Sequence, residues 1–110
     1  MRDLDDLHNQ IAQLLVDAGP AEAKKIIARA KLALDGETCE YEYDYADQQD
    51  NEDWFVPDKL ASYHLRLLLV KLRDYYIQNN MTNGKVPWTG CDITVDIPAE
   101  KISISVKYDE

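Results

Sequence analysis

A chain of 110 residues, 45% hydrophobic and 30% charged, has the composition of one ordinary folded domain rather than of a disordered segment. Its 21 acids and 12 bases give a net charge of −9, a field that repels nucleic-acid phosphate and anionic membrane and steers basic partners. The longest strongly apolar run, Leu65 to Val70 with Arg66 inside it, is too short to span a bilayer.

The first predicted element is a helix over residues 3–18, where Leu4, Leu7, Ile11, Leu14, Leu15 and Ala18 recur at spacings of three and four. Asp3 suits its cap, and Gly19-Pro20 ends it. The stretch that follows carries two readings. Pro20-Ala-Glu-Ala-Lys-Lys favours a short helical turn, while Ala28, Ala30, Leu32 and Leu34 alternate with Arg29, Lys31 and Ala33 as a strand does. We expect the turn, then a strand from about Ile26 to Leu34, although so alanine-rich a run also suits a continued helix. Asp35-Gly36 is a hairpin signal.

A cleaner strand comes next. Cys39, Tyr41, Tyr43 and Tyr45 point one way, and Thr38, Glu40, Glu42 and Asp44 the other. Residues 47–53 contain nothing apolar and read as an exposed loop closed by Trp54-Phe55-Val56. Pro57 suits the first turn of a long helix, in which Leu60, His64, Leu68 and Leu72 form an i, i+4 stripe widened by Leu65, Leu67, Leu69 and Tyr76, while Asp58, Lys59, Ser62, Arg66, Lys71, Arg73 and Asp74 fall mostly on the other side. The helix fades at Asn79-Asn80, and Asn83-Gly84 marks a loop. Two strands end the chain: Cys91, Ile93, Val95 and Ile97 alternate with polar residues, Pro98 to Lys101 turn, and Ile102, Ile104, Val106 and Tyr108 alternate again. The order αββαββ predicts an α+β fold, a single domain with two helices on one face of a four-stranded antiparallel sheet.

Few residues suggest catalysis. His64 lies on the apolar stripe and is expected as a packed histidine. The sequence has no G-x-S-x-G, H-E-x-x-H or Gly-rich phosphate loop. Residues 47–58 fail as an EF-hand, since Gln49 stands at the second ligand position, Glu52 replaces the glycine and Asp58 the final glutamate. Two cysteines and two scattered histidines make no zinc site, and Cys39 and Cys91 are expected to pack as small hydrophobes. The expectation is no metal, no cofactor and no enzymatic activity.

The charge is concentrated. Between Leu32 and Asp58 lie ten acids and no Lys or Arg, so the rest of the chain holds 11 acids against 12 bases, or +1. Glu40, Glu42 and Asp44 repeat every ~6.5–7 Å along their strand and run into the loop carboxylates Asp47, Asp50, Glu52 and Asp53 beside Trp54. The row is either a solvated strand face or a surface for a Lys/Arg-rich protein, with the charges speeding encounter and Trp54 supplying buried contact. Lys24, Lys25, Arg29 and Lys31 form a modest basic cluster, expected to pair with these acids or to solvate a surface.

Ile11-Ala-Gln-Leu-Leu15, Pro20-x-Glu22, Tyr41-Glu-Tyr-Asp-Tyr45, Pro87-Trp88-Thr89 and Lys101-Ile-Ser-Ile-Ser-Val-Lys-Tyr-Asp109 occur in an order that resembles the YezG-like immunity proteins. Ala23 departs from that pattern, which has an aromatic there. The resemblance implies an antitoxin of polymorphic or contact-dependent inhibition systems. Such a protein forms a one-to-one complex with its cognate toxin, commonly a basic nuclease domain such as an EndoU-type RNase, and covers its nucleic-acid site. It implies no catalytic residues and leaves Trp88 to the fold.

On this reading the partner-binding residues are Glu40, Glu42, Asp44, Asp47, Asp50, Glu52, Asp53 and Trp54. The opening Met-Arg-Asp-Leu-Asp-Asp lacks an apolar secretory core, so a cytoplasmic location is expected. No direct contact with nucleic acid or membrane is expected. The alternatives are an acidic adaptor for another basic protein and an enzyme built on His64. Pairing of two copies through exposed strand edges is left open.

Overall fold

The computed structural model describes residues 2–33, 35–79 and 88–107. In chain order these form α1 (Arg2–Ala18), β1 (Ala23–Leu32), β2 (Cys39–Asp47), β3 (Glu52–Trp54), α2 (Lys59–Gln78), β4 (Gly90–Asp96) and β5 (Lys101–Lys107). The strands make one antiparallel sheet in the order β3-β2-β1-β4-β5, with both helices on one face. The α+β class holds, with five strands in place of the expected four.

Alternation decides what the helices cover. Ile26, Ala28, Ala30 and Leu32 of β1 stand beside Tyr45, Tyr43, Tyr41 and Cys39 of β2, while Val95, Ile93 and Cys91 of β4 flank the first three on the other side. These side chains meet Leu7, Ile11 and Leu15 of α1 and Leu65, Leu69 and Leu72 of α2 in a single core. Each fully buried leucine or isoleucine contributes roughly 1.5–3 kcal/mol. The small alanines in β1 leave room for the tyrosines: Tyr41 Oη donates to Ser62 O at 2.8 Å, and Tyr43 Oη lies 2.9 Å from Ser62 Oγ. Trp88, fully buried, packs edge-on against Tyr76 at 6.1 Å, so it serves the fold as expected.

The structure corrects four local expectations. First, residues 23–25 are strand, not a helical turn. Ala23 N donates to Pro20 O in a tight turn, and β1 then pairs on both sides, so two hydrogen-bonded ladders outweigh the helix propensity of Ala-Glu-Ala-Lys-Lys. Second, the expected acidic loop folds back into β3, because Asp47 Oδ1 accepts the backbone N–H groups of Gln49 and Asn51, each at 2.9 Å. Third, α2 starts after Pro57. Asp58 caps it, accepting from Leu60 N at 3.1 Å.

Fourth, α2 buries Leu65, Leu69 and Leu72 of the expected apolar face but leaves Leu60 and His64 exposed and takes in Arg73, expected on the other side. Leucines surround this helix almost completely, so periodicity defines its inner face poorly and packing against α1 and β1 selects it. The expected loop at Asn83-Gly84, the strand end at Leu34 and Tyr108 lie outside the described residues.

Arg73, 4% exposed, explains one end of the sheet. Its guanidinium donates to Ala33 O at 2.9 Å, Trp88 O at 3.3 Å and Leu32 O at 3.4 Å. Arg66 donates to Gly36 O at 2.5 Å. Two arginines of α2 thus tie down the β1–β2 turn, in which Gly36 takes the left-handed φ of 74°. Among the described residues no helix is long and apolar enough to cross a membrane.

Candidate functional site

The face of the sheet opposite the helices carries the charged side chains. Register and alternation place Glu40, Glu42 and Asp44 of β2 on it, beside Lys31, Arg29 and Ile27 of β1. Asp92, Thr94 and Asp96 of β4 follow, then Lys101, Ser103, Ser105 and Lys107 of β5. The sign alternates strand by strand: β2 acidic, β1 basic, β4 acidic, β5 basic. Opposite charges on facing strands stabilise a sheet modestly.

Two of these pairings involve close ionic contact. Arg29 Nη1 lies 2.5 Å from Asp44 Oδ2 and 3.7 Å from Glu42 Oε2, and Lys107 Nζ lies 2.9 Å from Asp92 Oδ2. The hydrogen bond from Arg29 to Asp44 raises the guanidinium pKa above its ordinary value. The acidic row therefore has a cationic neighbour on its β1 side, supplied by the basic cluster noted in the sequence. Its other side faces the sheet margin.

The eight sequence-derived residues separate into two groups. Glu40, Glu42 and Asp44 share the open face with Glu52 and Trp54, because β3 pairs Glu52 with Ala46 and Trp54 with Asp44. Asp53 pairs with Tyr45 and so falls on the opposite side, where its Oδ1 accepts from Trp54 N at 2.8 Å. Asp47 organises the β2–β3 turn. Its carboxyl is held below the ordinary range, chiefly by the hydrogen bond from the Asn51 backbone. Asp50 takes φ 65° at the turn tip and pairs with Lys24.

Trp54 and Phe55 part company. Phe55 packs inward, with its ring 5.5 Å from Tyr43 and 6.0 Å from Tyr45. Trp54 is 70% exposed and Val56 78%. They line a groove of about 600 Å³ along the β2–β3 margin, with Glu42, Asp44, Pro57 and one cation, Lys59, on its walls. An exposed indole on an acidic strand edge suits a partner that buries the ring and neutralises the carboxylates. Sequence reasoning missed Val56 and Pro57 as part of this surface. Their place beside Trp54 follows from the turn at Asp47, which the sequence shows only as a run of polar residues.

Groups suited to catalysis are placed differently. Burial pushes the Cys91 thiol up to about 12 and also raises that of Cys39, which disfavours the nucleophilic thiolate at neutral pH. His64 is exposed, beside Tyr63, on a shallow groove lined by Gln10, Leu14, Leu67 and Lys71. Among the described residues no group of three or more His, Cys, Asp or Glu side chains is arranged to hold a metal ion. No known family model matches the chain, and no curated protein matches it in sequence.

Proposed function

We propose that this chain is an immunity protein that binds and neutralises a cognate toxin, a basic nuclease domain, in a one-to-one complex within the cytoplasm. The observation that carries the reading is the exposed Trp54 beside Glu42 and Asp44 on an uncovered sheet face. Carboxylates there take the cationic positions that a nuclease uses for substrate phosphates, and the indole supplies an apolar anchor. The resemblance to YezG-like immunity proteins narrows the basic partner to a toxin, with an EndoU-type RNase as one candidate. Inhibition on this reading is steric and electrostatic, with no cofactor and no reaction catalysed by the chain itself.

Co-expression provides the test. The chain should restore growth to cells producing the C-terminal domain of a large secreted toxin encoded directly upstream of its gene, and the purified pair should have the mass of a one-to-one complex. Failure to protect, together with stable capture of an unrelated basic protein, would instead favour an acidic adaptor.

A further inference from the structure

The sheet is unfinished on one side. β3 covers only Asp44–Ala46 of β2, and the chain adds one more bond, from Phe55 N to Tyr43 O at 3.1 Å. Continuing the same register would set Pro57 opposite Tyr41. Proline has no N–H to donate, so the pairing ends there. Among the described residues no strand borders Cys39–Glu42 on that side.

The backbone polarity of this edge follows from two bonds. Ala33 N donates to Thr38 O, so Glu40 and Glu42 direct their main-chain groups toward β1. Cys39 and Tyr41 direct theirs outward, as Tyr43 does toward Phe55. The free edge therefore presents donors and acceptors in strand geometry.

Charge identifies what fits. From β5 to β2 the sign alternates across the open face, but β3 breaks the series by placing a further carboxylate, Glu52, on the β2 side, so a strand set beside Glu40 and Glu42 enters a margin of carboxylates and would be basic. Lys or Arg at every second position would stand opposite Glu40 and Glu42, close to the exposed ring of Trp54.

We propose that the free edge of β2 at Cys39–Glu42 takes up a basic β-strand of the partner protein, which extends the sheet in line with β3. The inference deepens the immunity reading and rests on it for the partner's identity, but the edge itself is tested separately. A second copy is the poorer occupant. Its basic strand β5 carries cations only at Lys101 and Lys107, with Ser103 and Ser105 between them, and cannot oppose both glutamates at once.

Residue-resolved hydrogen exchange of the intact chain tests this. The probes are the peptide Lys-Val-Lys-Val-Lys-Val-Lys, its glutamate counterpart and a lysine version N-methylated at alternate amides. The lysine peptide should slow exchange several-fold at the Cys39 and Tyr41 amides, and the other two should not. Glu40→Gln with Glu42→Gln should weaken its binding about two- to tenfold. Unchanged exchange at these amides, protection at Ile102 and Ile104 instead, equal protection by the N-methylated peptide, or self-association that protects the same amides would each overturn the proposal. If the peptide seats on β2 but no toxin is neutralised, the edge stands and the immunity reading falls. If a toxin is neutralised and saturating peptide does not compete with it, the immunity reading stands and the edge proposal falls.

Discussion

The guanidinium of Arg29 donates to the carboxylate of Asp44 at 2.5 Å across the β1–β2 ladder. This contact ties the acidic row to the strand beside it, so the charge offered to a partner is what Arg29 leaves uncompensated. Arg29→Gln should change the unfolding free energy by about 1 kcal/mol or less, as expected for a partly exposed ion pair. It should also make association with a basic partner faster at low salt and more salt-dependent. Denaturant unfolding and stopped-flow association check the two parts, and a slower association would count against β2 as the contact strand.

Trp54 and Phe55 are neighbours in sequence with opposite expected phenotypes. Trp54→Ala should leave stability within about 0.5 kcal/mol of the parent, yet weaken the partner complex about 30-fold, as loss of an anchoring residue does. Phe55→Ala removes a ring packed on Tyr43 and Tyr45 and should cost about 2–3 kcal/mol of stability. Calorimetry of binding and urea unfolding distinguish the two.

Replacing Arg73 by Met should cost about 2–4 kcal/mol, because it removes a buried donor from the carbonyls of Leu32 and Trp88 and leaves Ala33 O with the Gly36 N–H alone. Arg73→Lys should recover little, since one ammonium cannot reproduce a planar fork that spans separate carbonyls. Urea midpoints at constant slope measure both.

Asp47 predicts an acid-sensitive turn. Its folded-state pKa lies below the ordinary carboxylate value, so its contribution is complete above that ordinary value and is lost as pH falls through the folded one. The Asn51 and Gln49 amides should shift together with the Asp47 carboxyl in an NMR titration, at a pH below about 3.9. Asp47→Asn should remove that transition.

Glu100, in the β4–β5 turn, has φ 53°, a conformation disfavoured for a residue with a long side chain. Glu100→Asn should raise stability by about 0.5–1 kcal/mol, because Asn tolerates the left-handed region. A melting temperature that fails to rise would show that the turn relaxes elsewhere.

The sequence makes legible those elements in which a single pattern dominates. The stripe of α1, the tyrosine face of β2 and the hairpin of β4 and β5 each have one period and one apolar side. Where patterns compete, tertiary contacts decide. Residues 23–25 are strand because β1 has partners on both sides, and α2 centres its buried face on Leu65 and Leu69 rather than on Leu60 and His64 because leucine lies nearly all around it. Arg73 is hidden from sequence reading for a related reason, since its acceptors are main-chain carbonyls that carry no residue signature. The acidic row was visible as charge, but its division between open face, turn and sheet margin depends on Asp47, Asp50 and the pairing of β3.

Pro57 gives one pyrrolidine ring two neighbouring tasks. It bars β3 from lengthening along Tyr41, and it stands just ahead of Asp58, which fixes where α2 begins. The two elements therefore share a boundary that neither can move without disturbing the other. Because a missing hydrogen is a covalent fact, changes in salt, pH or temperature within the folded range do not restore it. Among the described residues, the space beside Cys39 and Tyr41 is thus set by covalent structure rather than by conditions, and a residue with an N–H at position 57 would let β3 grow along it.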